Sequence, residues 1–161
     1  SCLSRIWRNP KEYWRTMNKL SRGERSELLA ATDPDLLTAI GNLCLEGTDN
    51  PEIITGPQVG TVVLTLREPI EEKRFHLGEV LATKTEVIHR GIQGWALLMG
   101  DNPVASLAAA ICDAEIEANG PYSTDVETLL RETKQKIQSQ RAAEWQELSA
   151  TIVNFEEIES K

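Results

Sequence analysis

Two histidines, His76 and His89, are the residues best suited by type to shuttle a proton or hold a metal. Carried on strands, a separation of 13 residues lets them meet across a hairpin. Neither has a cysteine or carboxylate at zinc-ligand spacing, and no nucleophile stands beside either one. Both are therefore read as single histidines at the surface or the edge of the core. Glu79 and Glu86 lie seven apart, which puts them on opposite faces of one unbroken strand, so they do not form an acid–base pair. Glu71, Glu72, Lys73 and Arg74 read as a solvated hairpin loop.

The glycine-dense piece Gly56, Pro57, Gln58, Val59, Gly60, Thr61 lacks the lysine of a phosphate-binding loop and precedes a strand instead of a helix, so it reads as a turn. Asp101 and Asn102 stand just before a helix, where their side chains can cap it. Glu115 and Glu117 sit at that helix's unfavourable C-terminal end, where a partner's cation could compensate them, and this marks them for an interface. Cys2, Cys44 and Cys112 are odd in number and widely spaced, which predicts buried reduced thiols in a cytoplasmic protein. No catalytic, cofactor-binding or metal residue is assigned from these patterns.

Composition narrows the class. With 161 residues the chain is one domain in length, 1–161, with 1–12 an extension and 156–161 an acidic tail. Seventeen basic residues against 25 acidic ones give a net charge of -8, which argues against nucleic acid and against an anionic membrane surface. No apolar run approaches a membrane span and no signal peptide is visible. Trp7, Trp14, Trp95 and Trp145 are dispersed along the chain, as core or interface anchors would be.

The elements that must position these residues follow from periodicity and caps. Pro10 opens a helix to Leu20 carrying Tyr13, Trp14 and Met17; Ser21 and Glu24 form a capping box; Asp33 and Pro34 open a third helix that Gly47 stops. From Gly47 to Gly60 the chain reads as an irregular linker, with at most one short edge segment. Residues 61–99 carry three or four antiparallel strands. Asn102 and Pro103 open an alanine-rich helix, apolar on nearly every side, that closes at Asn119 and Gly120. Thr124 and Glu127 make a capping box for a charged helix to about Leu148, long enough to break internally, and Thr151–Phe155 forms a terminal strand or extended arm. The fold class is α+β: N-terminal helices, a central antiparallel sheet, then C-terminal helices and the arm.

The run FHLGEVLATKTEV, Phe75–Val87, followed by Gly94, Trp95, Ala96, Leu97, Leu98, Met99 and Gly100, resembles the PhnG family of carbon–phosphorus lyase subunits. Ala110, Ile111, Cys112, Asp113 and Ala114 match the end of that family's alanine-rich helix. Tyr13–Met17, Arg141–Glu144 and Ala150–Phe155 resemble its opening and tail, so the matches run in order from 13 to 155. Asp101 and Asn102 stand where members often carry arginine and aspartate, and Ala105 and Leu107 where some carry histidine and glutamate. No catalytic residue is carried over onto this helix.

The resemblance implies an accessory subunit of the bacterial assembly that degrades alkylphosphonates, supporting transfer of a phosphonate to the ribose C1 of ATP with release of adenine. It implies PhnI-like, PhnH-like and PhnJ-like partners, ATP and Mg in the assembly, an iron–sulfur cluster and S-adenosylmethionine in the PhnJ-like chain, and no cofactor on this one. Several copies of the chain per assembly fit the same picture. The alanine-rich helix or the Thr151–Phe155 arm is expected to supply the partner contacts. The rival reading is a stand-alone soluble module that binds a small molecule.

Overall fold

Both described helices of the first half open at a side chain that accepts their own orphan backbone donors. The computed structural model describes residues 20–68 and 72–150. In α1 (Arg22–Ala31), Ser21 and Glu24 close a reciprocal capping box. In α2 (Pro34–Cys44), the Asp33 carboxylate accepts from the Asp35 and Leu36 amides, Pro34 occupies the first turn, and Gly47 (φ 68°) ends the segment. Residues 10–19 of the helix expected from Pro10 to Leu20, together with Cys2, Trp7 and the Thr151–Phe155 arm, lie outside the described residues, and Leu20 itself is not helical.

Three antiparallel strands follow in the order β1 (Glu52–Arg67), β2 (Arg74–His89) and β3 (Ile92–Met99). The supposed linker from Gly47 to Gly60 is mostly strand: β1 begins at Glu52 and absorbs Gly56 and Pro57 in register shifts between Ile53 and Gln58. A proline and glycines break a central strand but are tolerated at bulges on an edge. β2 and β3 join through Arg90 (φ 50°) and Gly91 (φ 75°), a two-residue turn with both angles positive, whose twist suits a hairpin. Among the described residues β3 pairs with Ala82–His89 alone, so the far halves of β1 and β2 project beyond it as a two-stranded ribbon.

Among the described residues, one helix covers most of the sheet. Thr83, Thr85, Val87 and His89 of β2 and Gly94, Ala96 and Leu98 of β3 face α3 (Pro103–Glu117), which buries eleven of its residues, including Ala105, Ala108, Ala109, Ala110 and Ala114. Small side chains are what the approach allows. A methyl group on Gly94 would overlap the Ala110 carbonyl oxygen and come within 2.7 Å of the Ala114 Cβ, and one on Gly41 would lie 2.8 Å from the Ala108 Cβ. So α3 is clamped between β3 and α2.

The last helix, α4 (Ser123–Ala150), is unbroken over 28 residues, about 42 Å at 1.5 Å per residue. It opens one residue before Thr124, which lies inside the first turn instead of capping it. Val126 and Leu130 are buried and Ile137 packs at the margin; from Gln138 to Ser149 every residue is exposed. No helix among the described residues is long and apolar enough to cross a membrane.

The clamp gives a direct test. Gly94→Ala should destabilise the fold by on the order of 3 kcal/mol, because backbone must move to admit the methyl. Gly60→Ala, with nothing within 4 Å of the new carbon, should cost less than about 1 kcal/mol. Urea midpoints of the two variants would be compared, and equal shifts would refute the close approach of α3 to β3.

Candidate functional site

A fully buried carboxylate must find its counter-charges inside the fold, since isolating it costs several kcal/mol. Two such groups, Asp113 and Glu115, lie on the last turns of α3. Glu115 Oε2 accepts from His89 Nε2 at 2.8 Å and from Arg90 Nε at 2.7 Å, and Oε1 accepts from the Tyr122 amide at 3.0 Å. The loop after α3 is shaped by this carboxylate: a methyl group on Gly120 would run into it, and the Gly120 amide donates to the Glu115 carbonyl at 2.9 Å. Arg90 also reaches the Cys44 carbonyl at 3.4 Å, tying the β2–β3 turn to the end of α2.

Burial alone would raise the Glu115 carboxyl, but the Arg90 hydrogen bond, the Tyr122 amide and His89 outweigh it and hold it below its ordinary 4.5. A carboxylate only accepts, so His89 presents Nε2–H to it, and the buried Nδ1 has no hydrogen-bond partner.

Asp113 serves the other side of α3. Its Oδ2 accepts from Arg22 Nη2 at 2.8 Å and from the Trp95 amide at 3.3 Å, while Oδ1 stands 3.7 Å from the buried Arg25, which also pairs with Glu117. Arg22 donates to the Gln93 carbonyl at 2.8 Å as well. Gln93 and Trp95 are the residues whose backbone groups face outward from β3, so this ion pair covers the edge of the sheet. A third set of bonds fixes the start of α3. The Thr83 hydroxyl donates to the Gly100 carbonyl at 2.7 Å and accepts from the Asn102 amide at 3.1 Å; Ser106 donates to the Thr83 carbonyl at 3.2 Å and lies 2.7 Å from the Thr85 hydroxyl.

These arrangements correct several expectations. Glu115 and Glu117 are not held by a partner's cations: Arg90 and Arg25 of the same chain supply the charge. The alanine-rich helix is consumed by its own sheet and by α2, which removes it as a partner surface. His76 and His89 share strand β2 and do not meet, and His89 is a buried member of an ion cluster instead of a surface or edge residue. Glu79 and Glu86 fall on opposite faces of β2, and Asn102 caps α3 by accepting from the Ala105 amide at 3.2 Å, both as expected. Cys44 and Cys112 are buried free thiols; the neighbouring Cys44 side chain and burial push the Cys112 thiol well above its usual range, which keeps it unreactive.

Several large apolar side chains remain at the surface. Trp145 and Leu148 on the outer half of α4 are 66% and 61% exposed, and Phe75 and Leu77 on the ribbon are 47% and 57% exposed. An open groove of about 260 Å³ runs between α1 and α4, with Leu28, Ala31 and Ile137 as its floor and Glu24 and Lys134, 3.8 Å apart, at its wall. Among the described residues, no group of three or more histidine, cysteine, aspartate or glutamate side chains is placed to hold a metal ion.

The class these features define is an α+β domain whose buried charges lock its own helices and whose apolar side chains are offered on two projecting elements. The family model for the phosphonate metabolism protein PhnG matches residues 20–159, and the chain belongs to that family. Its field of action is accordingly phosphonate metabolism. No curated protein matches the chain.

The lowered Glu115 value fixes a sign. The folded state binds this proton less readily than the unfolded chain, so the stabilisation is complete at neutral pH, fades as pH drops below 4.5, and is gone once pH passes the depressed folded value. Glu115→Gln should lose about 2–3 kcal/mol at pH 7 and show a flatter loss of stability in acid. Chemical denaturation at a series of pH values tests this; a variant with the parental acid slope would mean that Glu115 contributes nothing to it.

Proposed function

We propose that this chain is an accessory subunit of a carbon–phosphorus lyase assembly, lending surface and order to an active centre carried mainly by its partners. The observation that carries the reading, beside membership of the PhnG family, is the exposure of Trp145 and Leu148 on an α4 half whose residues from Gln138 to Ser149 are all exposed. A tryptophan and a leucine a turn apart on a projecting helix are an economical anchor for a groove in another protein. The ionisable groups of the interior point the same way, since Asp113, Glu115 and His89 are engaged with one another's neighbours and closed to solvent.

In this reading the chain works with PhnI-like, PhnH-like and PhnJ-like subunits. The reaction supported is displacement of adenine from ATP by an alkylphosphonate, with ATP and Mg bound by the assembly, and the later radical cleavage belongs to the PhnJ-like chain with its iron–sulfur cluster and S-adenosylmethionine. An accessory surface that orders a partner's loop by roughly 1.4 kcal/mol is worth about tenfold in rate. The second reading, a stand-alone binding module, is favoured only by the groove between α1 and α4, which is smaller than the roughly 300 Å³ at which ligand pockets begin.

Coexpression with PhnI-like and PhnH-like proteins, followed by mass measurement and an adenine-release assay, decides between them. The expected result is a complex whose adenine release depends on this chain. Trp145→Ala combined with Leu148→Ala should weaken copurification about tenfold or more while leaving the circular dichroism of the isolated chain nearly unchanged. Adenine release by the isolated chain at the rate of the assembly would overturn the reading.

A further inference from the structure

The sheet has three borders, and they are treated differently. The outer edge of β3 is covered by Arg22 and Asp113, and the outer edge of β1 is interrupted in its first half by Pro57 and two register shifts. The third border is the half of β2 that outruns β3, from Arg74 to Val80, where no described strand pairs. Two-stranded ribbons are marginal in water on their own, and this one exposes Leu66, Phe75, Leu77 and Leu81.

The backbone on that border can be read out. An antiparallel residue directs its N–H and C=O to one side, and Leu81 accepts from the Gly100 amide at 2.8 Å on the β3 side. Glu79, two residues back in unbroken register, aims the same way. The register shift opposite Leu64 and Thr65 skips Leu77, so the alternation resumes at His76 and Arg74.

We propose that a second copy of this chain pairs with this border, β2 against β2, about a two-fold axis at His76. The sequence of the strand is self-complementary in that register. Arg74 falls opposite the partner's Glu79 and Phe75 opposite the partner's Gly78, each pair repeated across the axis, and His76 falls opposite its own equivalent on the axis. Opposite charges meet directly, and an aromatic ring covers a bare glycine, a combination that favours cross-strand pairing. The two ribbons have equal length by symmetry, so each fills the space in line with the other's β3, and the interface closes on itself. A strand from an unrelated protein would have no reason to match the positions of Arg74, Gly78 and Glu79.

Sedimentation equilibrium of the full chain tests the pairing. Expected is a dimer of twice 17.9 kDa, with the Glu79 amide protected from hydrogen exchange as concentration rises. Glu79→Arg and Arg74→Glu should each weaken dimerisation about tenfold or more, since each places like charges opposite each other twice per interface. The double variant carrying both reversals should recover the parental dimer, because the exchanged charges again face each other. Both side chains are exposed, and circular dichroism verifies the fold of each variant. A monomer at all concentrations, a dimer indifferent to the single reversals, or protection of the outward Val63 amide of β1 in place of Glu79 would overturn the proposal. So would protection of Glu79 that arises only when a PhnI-like protein is added, an outcome that leaves the proposed function standing.

Discussion

The structure depends on how closely α3 lies on the sheet. Gly94 admits the Ala110 carbonyl, Gly41 admits Ala108, and the alanines of the helix leave little side-chain volume between backbone layers. A core so thin gains less apolar burial per residue than one built of leucine and isoleucine. Polar groups make up part of the difference by fixing geometry: hydroxyls of Thr83, Thr85 and Ser106 at one end of α3, and carboxylates of Asp113 and Glu115 at the other. The helix is held at both termini by directional bonds and in the middle by contact.

The paired carboxylates divide the work. Asp113 binds α1 to the edge of β3 through Arg22 and Arg25, and Glu115 binds the β2–β3 turn, the α2 terminus and the loop before α4 through His89, Arg90 and the Tyr122 amide. Arg90 adopts a left-handed backbone to reach it. Losing either carboxylate leaves cations unpaired in low dielectric, so removing one member of such a cluster costs more than the intact cluster contributes in net stability. The same closure leaves the chain's outward chemistry to the ribbon and to α4.

Local signals were legible in the sequence wherever the physics is local. The caps at Ser21 with Glu24, at Asp33 with Pro34 and at Asn102 with Pro103 announce their helices, because a cap needs only its own first turn. The α+β order and the burial of α3 follow from composition and periodicity. β1 was hidden because Gly56, Pro57 and Gly60 are turn residues by propensity, and only pairing with β2 makes them bulged strand. The ion cluster was hidden for a related reason: Arg90 stands 25 residues from Glu115, and Arg22 stands 91 from Asp113, so nothing nearby in the chain marks the partners. Without those partners in view, two glutamates at a helix C-terminus look like surface groups awaiting another molecule.

The cover on β3 has a consequence for the molecule in a crowded solution. Sheets that can accept neighbours at both margins stack into fibrils, and a chain with exposed valines and leucines on long strands is a ready ingredient for one. A guanidinium and a carboxylate spent on Gln93 and Trp95 turn one margin into a dead end. Growth in that direction stops at the first chain, so precipitation by strand stacking is obstructed while the other apolar surfaces stay available.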